Sequence, residues 1–475
     1  MIIEGKTITS DHTFSVVNPS TGKVLAQVPI ASDNQIESAI ASALRGKDIS
    51  KRLSRAERAE ILNKTASLVE ARSDAFAETI VAECGKTIRQ AKKEVARCVN
   101  TLTLSAEEAK RLAGEIIPFD AFKGNEDLCG YFTCEPLGII LAITPFNDPL
   151  NLVAHKLGPA IAAGNAVILK PSSLAPLSAL KLAQCFLKAG LPGDILNVVT
   201  GDGAVGEAMV RRREIAMVSF TGGSNTGEAI TRVAGLKRMS MDLGGNAPVI
   251  VMPDADLEDA VTSCVSGAFW GAGQNCIGVQ SIMCHQSIYD AFLKSFAALT
   301  DSLNFGDPML AETDVGPMVS EAEAQRIEAW VTDAIKAGAR LVTGHTRKGA
   351  FYAPTVLADV PDTSRVKCDE VFAPVVIIEP FDKLTDALEK ANRPDFMLHA
   401  GIFSNDLRAI ELAIQTLDVG GLMINDSSDF RYDGMPFGGT KHGSMGREGV
   451  RFAAEEMTQS KVICYRNLPY RAPLR

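Results

Sequence analysis

The sequence lacks the features that mark membrane-spanning and disulfide-bonded proteins. Its 475 residues contain no apolar run of about eighteen residues, and the opening MIIEGKTITSDHTF has no basic segment followed by an apolar one. The ten cysteines are scattered, with no CxxC pair and no Cys/His cluster of metal-ligand spacing. We therefore expect a cytoplasmic protein without a bound metal, in which most cysteines are free and buried.

A strong charge of one sign is also missing. The 48 basic and 57 acidic side chains leave a formal net charge of −9, which is small for this length. The only dense basic run, Arg211 to Arg213, is expected at the C-terminal end of a helix over 204–212, where positive charge favours the helix dipole. We therefore expect neither a nucleic-acid partner nor a membrane partner. The hydrophobic content of 46% is typical of a globular protein.

The pattern of apolar residues predicts an α/β protein of two or three domains. One amphipathic helix is predicted from Ser54, as N-cap, to Gly85. Between 138 and 252, the apolar segments GIILAIT, AVILKPS, ILNVVTG, MVSFTGG and APVIVMP alternate with helices such as 178–189, which indicates a doubly wound parallel sheet. A second alternation of strands and helices begins with a predicted helix over 257–272.

One cysteine stands apart from the other nine because of its neighbours. Cys276 lies in GQNCIGVQ, between Gly271 and Gly273 on one side and Gly278 on the other, where the backbone can bend and let a ligand approach. Upstream, MDLGGNAP (241–248) places an acidic residue and two glycines at the end of a predicted strand, and TPFNDP (144–149) supplies the amide of Asn147. Together these segments indicate covalent chemistry on a carbonyl group.

The order of these segments resembles the aldehyde dehydrogenase superfamily, including its members that oxidise semialdehydes and lactaldehyde. The resemblance runs from about Asn18 to Ser460 and includes NPSTGKVLAQVP (18–29), KPSS (170–173), FTGG (220–223), DEVFAP (369–374) and MPFGGTKHGSMGRE (435–448). It implies a dinucleotide-binding domain at 1–117 and 137–252 and an α/β catalytic domain at 253–457. It also implies an oligomerisation segment at 118–136 and 458–475, so that the protein would be a homodimer or homotetramer.

The resemblance implies that the cofactor is NAD or NADP. Gly222 and Gly227 follow a strand and begin a helix, where a pyrophosphate can approach free N–H groups, although without the resemblance a plain turn is the commoner interpretation. Gly223 stands where the family commonly has serine, so one phosphate contact is expected to be missing or supplied by Ser224. Ser173 stands where relatives that prefer NAD have glutamate, and we therefore expect NADP to be accepted. The expected cofactor-binding residues are Thr144, Pro145, Phe146, Lys170, Ser172, Ser173, Gly201, Gly206, Phe220, Thr221, Gly222, Gly223, Gly227, Leu243, Gly244, Glu370 and Phe372.

The resemblance also assigns catalytic roles. Cys276 would add to the aldehyde, and Asn147 with the backbone N–H of Cys276 would stabilise the oxyanion. Asp242 stands where the family usually has its glutamate base, and its carboxylate is shorter by one methylene, about 1.5 Å. The alternative for Asp242 is an ionised partner of a nearby donor. Lys156 and Glu448 match the positions of a proton relay, the alternative being membership of surface ion pairs.

Two arginines are candidates for contacting an anionic end of the substrate. A guanidinium suits a carboxylate, phosphonate or sulfonate, and Arg431 and Arg97 match positions near the substrate tunnel. Each could instead be an ordinary surface arginine. Asn275, before the thiol, stands where some anion-selective relatives have arginine, which disfavours a doubly charged tail. Two other functions stay open at this point: a CoA-acylating dehydrogenase, and a non-catalytic binding protein on the same fold.

Overall fold

The computed structural model describes residues 1–466 of the chain. Its helices are α1 (Asp33–Arg52), α2 (Arg55–Glu70), α3 (Ser73–Cys84), α4 (Ile88–Arg111), α5 (Asn151–Ala162), α6 (Leu177–Lys188), α7 (Gly203–Val210), α8 (Ser224–Ala234), α9 (Leu257–Phe269), α10 (Tyr289–Asp301), α11 (Glu321–Lys336), α12 (Arg365–Cys368), α13 (Leu384–Ala391), α14 (Leu407–Thr416) and α15 (Val450–Glu456), with short 3₁₀ helices at Phe119–Ala121 and Trp270–Gly273.

The strands are β1 (Ile2–Ile3), β2 (Lys6–Thr7), β3 (Thr13–Val17), β4 (Val24–Pro29), β5 (Ile116–Ile117), β6 (Leu128–Pro136), β7 (Ile139–Ile143), β8 (Ala166–Lys170), β9 (Leu196–Val198), β10 (Met217–Thr221), β11 (Arg238–Asp242), β12 (Ala247–Val251), β13 (Val279–His285), β14 (Arg340–Thr343), β15 (Arg347–Lys348), β16 (Phe351–Tyr352), β17 (Thr355–Ala358), β18 (Val375–Phe381), β19 (Phe396–Met397), β20 (His399–Phe403), β21 (Gly421–Ile424), β22 (Thr440–Lys441), β23 (Ser444–Met445) and β24 (Thr458–Arg466).

The first sheet contains the strands predicted from the apolar runs that begin at residue 138. Its order is β2-β1-β9-β8-β7-β10-β11-β23, and the pairs from β9 to β11 are parallel. Every residue of β7, β8 and β10 is buried, because helices cover both faces of the sheet. The predicted doubly wound parallel sheet is confirmed.

The second sheet contains one strand that the sequence grouped with the first. Its order is β14-β17-β18-β13-β12-β20-β21, and β12 pairs in parallel with β13 and β20. The change of sheet therefore comes between Asp242 and Ala247, and not after residue 252 as the alternation had suggested. An apolar run such as APVIV is fully buried in either sheet, so its pattern could not show which neighbours it has.

Two of the predicted helices are interrupted. The single helix expected from Ser54 to Gly85 is two helices, because α2 ends in a tight turn at Ala71, whose N–H bonds to the carbonyls of Ser67 and Val69, before α3 begins. Ser54 and Gly85 do cap its outer ends, Gly85 with a φ of 80°. The helix expected over 257–272 ends at Phe269.

A small third sheet has the order β24-β6-β5. β24 pairs with β6 along its whole length, from Thr458 opposite Pro136 to Arg466 opposite Leu128. Apolar side chains are exposed on this sheet, with Ile116 at 85% and Val462 at 59% relative exposure. Residues 467–475 of the expected oligomerisation segment lie outside the described residues. No helix within residues 1–466 is long and apolar enough to cross a membrane.

Candidate active site

The thiol of Cys276 follows a turn with strained backbone angles. After α9, Gly271 and Ala272 have φ values of 57° and 56°, and Gly273 has a φ of 67°. A Cβ built on Gly273 would lie 2.1 Å from the carbonyl oxygen of Ala373, so the turn can pack against residues 373–374 only without a side chain at this position. Cys276 follows directly and lines a cavity of about 640 Å³, together with Asn147, Asn275, Arg97 and Arg431.

Asp242 is a buried carboxyl group without a donor. It is the last residue of β11 and is 3% exposed, and neither of its side-chain oxygens has a hydrogen-bond partner within the described part of the chain. Burial raises the pKa of Asp242 well above its usual value, and the Glu448 carboxylate raises it further, whereas Arg431 and Lys156 oppose the shift. The alternative interpretation, an ionised partner of a nearby donor, is therefore wrong for this geometry.

Burial affects the Cys276 thiol in the same direction. Burial raises the pKa of Cys276 well above that of a free cysteine, and the neighbouring Asp242 raises it further, while Arg431 lowers it. Asp242 and Cys276 thus each disfavour the other's charged form. The pair is most stable when at most one of them is ionised.

Lys156 and Glu448 form a buried ion pair. Lys156 Nζ lies 3.2 Å from Glu448 Oε1 and 3.1 Å from Ser219 Oγ, and Thr221 Oγ1 donates to Glu448 Oε1 at 2.6 Å. Burial opposes ionisation of Glu448, but Lys156 and Arg431 hold its pKa below its usual range. The alternative of surface ion pairs is wrong, because both side chains are almost fully buried.

Arg431 is likewise buried rather than a surface residue. Its Nη2 donates to Glu448 Oε2 at 2.9 Å, and its guanidinium lies 3.7 Å from the centroid of the Phe437 ring. The side chain is 8% exposed, and its Nε has no hydrogen-bond partner among the described residues. The positive charge of Arg431 is therefore already paired with the Glu448 carboxylate, and its Nε–H remains without an acceptor among the described residues.

Arg97 lies on the same cavity in a different network. Its Nη2 donates to Asp433 at 2.8 Å and its Nη1 donates to Asp148 at 3.3 Å. Asp433 is also 3.0 Å from His155 Nε2, and Lys86 forms ion pairs with both Asp148 and Glu94. The sequence reasoning missed these partners of Arg97. Asp148 stood inside a segment already singled out, TPFNDP, but nothing in the sequence joined Asp148 or Asp433 to a residue on α4.

Groups with the chemistry of a dinucleotide site lie at the carboxyl ends of β8, β10 and β11. α8 begins at Gly223, and no side chain within residues 1–466 caps its first N–H groups, so they remain available to a phosphate. A Cβ on Gly227 would lie 2.4 Å from Leu243 Cδ2, so the glycine allows close packing here. Lys170 ends β8 as a buried ammonium that forms no ion pair within the described chain, and burial lowers its pKa.

Glu370 and Phe372 contact residues next to these groups. Glu370 Oε1 accepts from the N–H of Gly245 at 3.3 Å, and a Cβ on Gly244 would lie 2.2 Å from Glu370 Oε2. Burial raises the pKa of Glu370 to about 7. Phe372, with a φ of 46°, packs edge-on against Phe146 at 5.8 Å between ring centroids. The donors, the ammonium and the carboxylate present here fit a dinucleotide.

Ser173 follows Lys170, the last residue of β8, by three positions. It is partly exposed, next to Leu174, and lines a different cavity of about 720 Å³ together with Asn18 and Gly349. Ser172, beside it, accepts a hydrogen bond from the N–H of Leu174 at 3.2 Å.

Comparison with known proteins agrees with this geometry. The family model described as "Aldehyde dehydrogenase family" matches residues 7–463. Aspartate-semialdehyde dehydrogenase 1 of Pseudomonas canavaninivorans is 55% identical over 95% of this chain and 96% of its own length. The 3-sulfolactaldehyde dehydrogenase of Priestia megaterium is 43% identical over 98% and 97% of the two chains.

A solved structure extends the similarity to the whole fold. The glyceraldehyde-3-phosphate dehydrogenase of Methanocaldococcus jannaschii, complexed with NADP, has a TM-score of 0.93 and 38% identity, covering 96% of this chain and 100% of that one. The resemblance inferred from the motifs is thereby confirmed over nearly the full sequence. The chain belongs to the aldehyde dehydrogenase family.

Proposed function

We propose that this protein oxidises a small semialdehyde with a charged tail to the carboxylic acid, using NADP⁺ or NAD⁺ and Cys276 as the nucleophile. The observation that carries the proposal is that Cys276 lines one cavity with Asn147 and with the cations Arg97 and Arg431. Family membership confirms the predicted enzyme class, an NAD(P)-dependent aldehyde dehydrogenase. The similarities do not favour the CoA-acylating alternative.

In the first half of the reaction, the Cys276 thiol gives its proton to solvent and Sγ bonds to the aldehyde carbon. The aldehyde oxygen becomes an oxyanion, which the side-chain amide of Asn147, a residue that lines the same cavity, would stabilise. The nicotinamide of the bound cofactor supplies the hydride acceptor that this oxidation needs. The substrate carbon is then held on Cys276 as a thioester.

In the second half, water must attack that thioester. Asp242 removes a proton from the water as its oxygen bonds to the carbonyl carbon, the C–S bond breaks, and the acid leaves with Cys276 restored. Asp242 can do so only when ionised, and burial, which raises its pKa, reduces the ionised fraction at a given pH. The buried ion pair of Lys156 and Glu448 offers a route by which this proton can leave the site. Arg431 stabilises the Glu448 carboxylate by donating a hydrogen bond to it.

The charged tail is supported by the cations of the cavity and by the named relatives. The substrates in the relatives' names carry a carboxylate, a sulfonate or a phosphate. The unused Nε of Arg431 is the donor proposed for such a group, and the Asn275 amide, which replaces an arginine, favours a singly charged anion.

We also propose NADP use, a homo-oligomeric state and a cytoplasmic location. NADP use is supported by the absence of a carboxylate at Ser173 and by a similar structure that contains NADP. A homo-oligomer is supported by the exposed apolar side chains on the sheet of β5, β6 and β24. A cytoplasmic location is supported by ten free cysteines.

A panel of aldehydes assayed with NAD⁺ and NADP⁺, with and without CoA, tests the proposal. We expect semialdehydes with a charged tail to be the best substrates, formation of a free acid, and no requirement for CoA. Cys276→Ala should abolish the activity, whereas Cys368→Ala, which changes an exposed cysteine outside the cavity, should not. A product found only as the CoA thioester would overturn the proposal.

A further inference from the structure

The catalytic cavity has walls of opposite charge. One wall carries Lys93 and Arg97 of α4 and Lys86, which precedes that helix. The second wall, formed by α9 and the loop after β21, carries Asp426 and Asp429 beside the hydroxyl groups of Ser263 and Ser427. A purely anionic tail would be attracted by the first wall and repelled by the second.

On the basic wall, Lys93 is the cation without a carboxylate partner. Lys86 is paired with Glu94 and Asp148, and Arg97 with Asp148 and Asp433. The Lys93 ammonium lies 4.7 Å from the centroid of the Trp270 ring, and no carboxylate of the described residues comes within 4.0 Å of it. Its charge is therefore available to a ligand at the mouth of the cavity.

On the acidic wall, Asp429 is held in place by a hydroxyl and not by a cation. Its Oδ1 accepts from Ser427 Oγ at 2.5 Å, and no lysine or arginine within residues 1–466 lies at ion-pair distance from it. A Cβ on Gly267 of α9 would lie 2.9 Å from that oxygen, so the missing side chain leaves room for the carboxylate. Asp426 is fixed similarly, by Ser263 Oγ at 2.8 Å.

One nitrogen atom of Arg431, in the same cavity, also lacks a hydrogen-bond partner among the described residues. The Nε of Arg431 is buried and makes no hydrogen bond with the described residues. The whole Arg431 side chain is only 8% exposed. A buried donor left unpaired is costly, which points to a ligand that completes it.

We propose that the substrate is an α-amino acid semialdehyde, with its ammonium on Asp429 and its carboxylate on Lys93 and Arg431. The ammonium and the carboxylate of such a substrate are bonded to the same carbon atom. The protein must therefore present cations and a carboxylate to one cavity, as it does here. The inference rests on the proposed function and adds to it an ammonium subsite that favours such a substrate over a semialdehyde that lacks the ammonium group.

Two aldehydes that differ only in the ammonium group test the inference. Aspartate 4-semialdehyde should have a kcat/KM about 10- to 100-fold above that of succinate semialdehyde, the range expected for one charge-assisted contact. Asp429→Asn should remove most of this preference and leave succinate semialdehyde unchanged or improved. Lys93→Met should weaken both. Glu258→Gln, which removes an exposed charge from α9 outside the cavity, is the matched control and should change neither.

A binding measurement gives a second readout that does not depend on turnover. Cys276→Ala protein titrated calorimetrically should bind aspartate more tightly than succinate, and the additional Asp429→Asn substitution should abolish the difference. Equal kcat/KM values for the two aldehydes, or an equal loss for both in Asp429→Asn, would overturn the ammonium subsite and leave the proposed function intact. If neither charged semialdehyde is oxidised better than a neutral aldehyde, the proposed function fails as well.

Discussion

Replacement of Asp242 by asparagine separates the two halves of the proposed reaction. The asparagine is nearly isosteric with the aspartic acid, and the carboxyl group it replaces makes no hydrogen bond within the described chain, so little of the fold should change. Thiol addition and oxidation do not use Asp242, whereas attack of water does. Loss of a general base typically costs about 10²- to 10⁴-fold in the step that needs it.

The assay is rapid mixing of enzyme, aldehyde and cofactor, followed by the formation of reduced nucleotide. The parent should give a burst of one equivalent per active site and then a slower phase, because the short Asp242 side chain makes hydrolysis the slow step. Asp242→Asn should keep the burst, and its slow phase should be about 10²- to 10⁴-fold slower than that of the parent. Asp242→Glu, which restores the carboxylate and extends it by about 1.5 Å, is the matched control and should keep the slow phase.

The pH dependence of the slow phase follows from the raised pKa of Asp242. At pH values below its pKa, a carboxyl group becomes about tenfold more ionised for each unit by which the pH increases. Because burial raises the pKa of Asp242, the slow phase should become faster as the pH increases toward that raised pKa and should level off above it, and this dependence should be absent in Asp242→Asn. A steady state slowed several-fold by deuterated aldehyde, or Asp242→Asn turning over at the parent rate, would refute the assignment.

Other predictions concern the cofactor and the arginine. Ser173→Glu should weaken NADP use far more than NAD use, because the new carboxylate would repel the 2′-phosphate; equal changes in KM for both nucleotides would show that Ser173 does not face the ribose. Arg431→Met should raise KM for a charged semialdehyde by about 10²-fold, the loss expected for a charge-assisted contact. A neutral aldehyde should lose much less, although not nothing, because the substitution also removes a partner of Glu448. Parallel losses for the two aldehydes, with recovery of both in Arg431→Lys, would show that Arg431 serves only to hold Glu448.

The parts of this molecule that could be predicted from its sequence are those fixed by local pattern. The buried runs of β7, β8 and β10 indicated a parallel sheet, and the glycines around Cys276 indicated a bent backbone that exposes a nucleophile. These features depend on neighbouring residues alone.

The charge partners were not predictable, because they depend on contacts between distant segments. Arg97 and Asp433 are 336 residues apart, and Lys156 and Glu448 are 292 apart, so only the fold shows which carboxylate meets which cation. The same reason explains why Arg431 looked like a free anion receptor in the sequence but is paired with Glu448. The break between α2 and α3 was also hidden, since no proline or glycine marks it.

Mass spectrometry of Asp242→Asn protein, stopped by acid after a single turnover, tests most directly the claim that Cys276 carries the substrate. We predict an added mass equal to the acyl group, one per chain, on the peptide that contains Cys276, and no adduct in Cys276→Ser under the same conditions. Formation of reduced nucleotide without any adduct, or an adduct on another residue such as Cys368, would contradict the account.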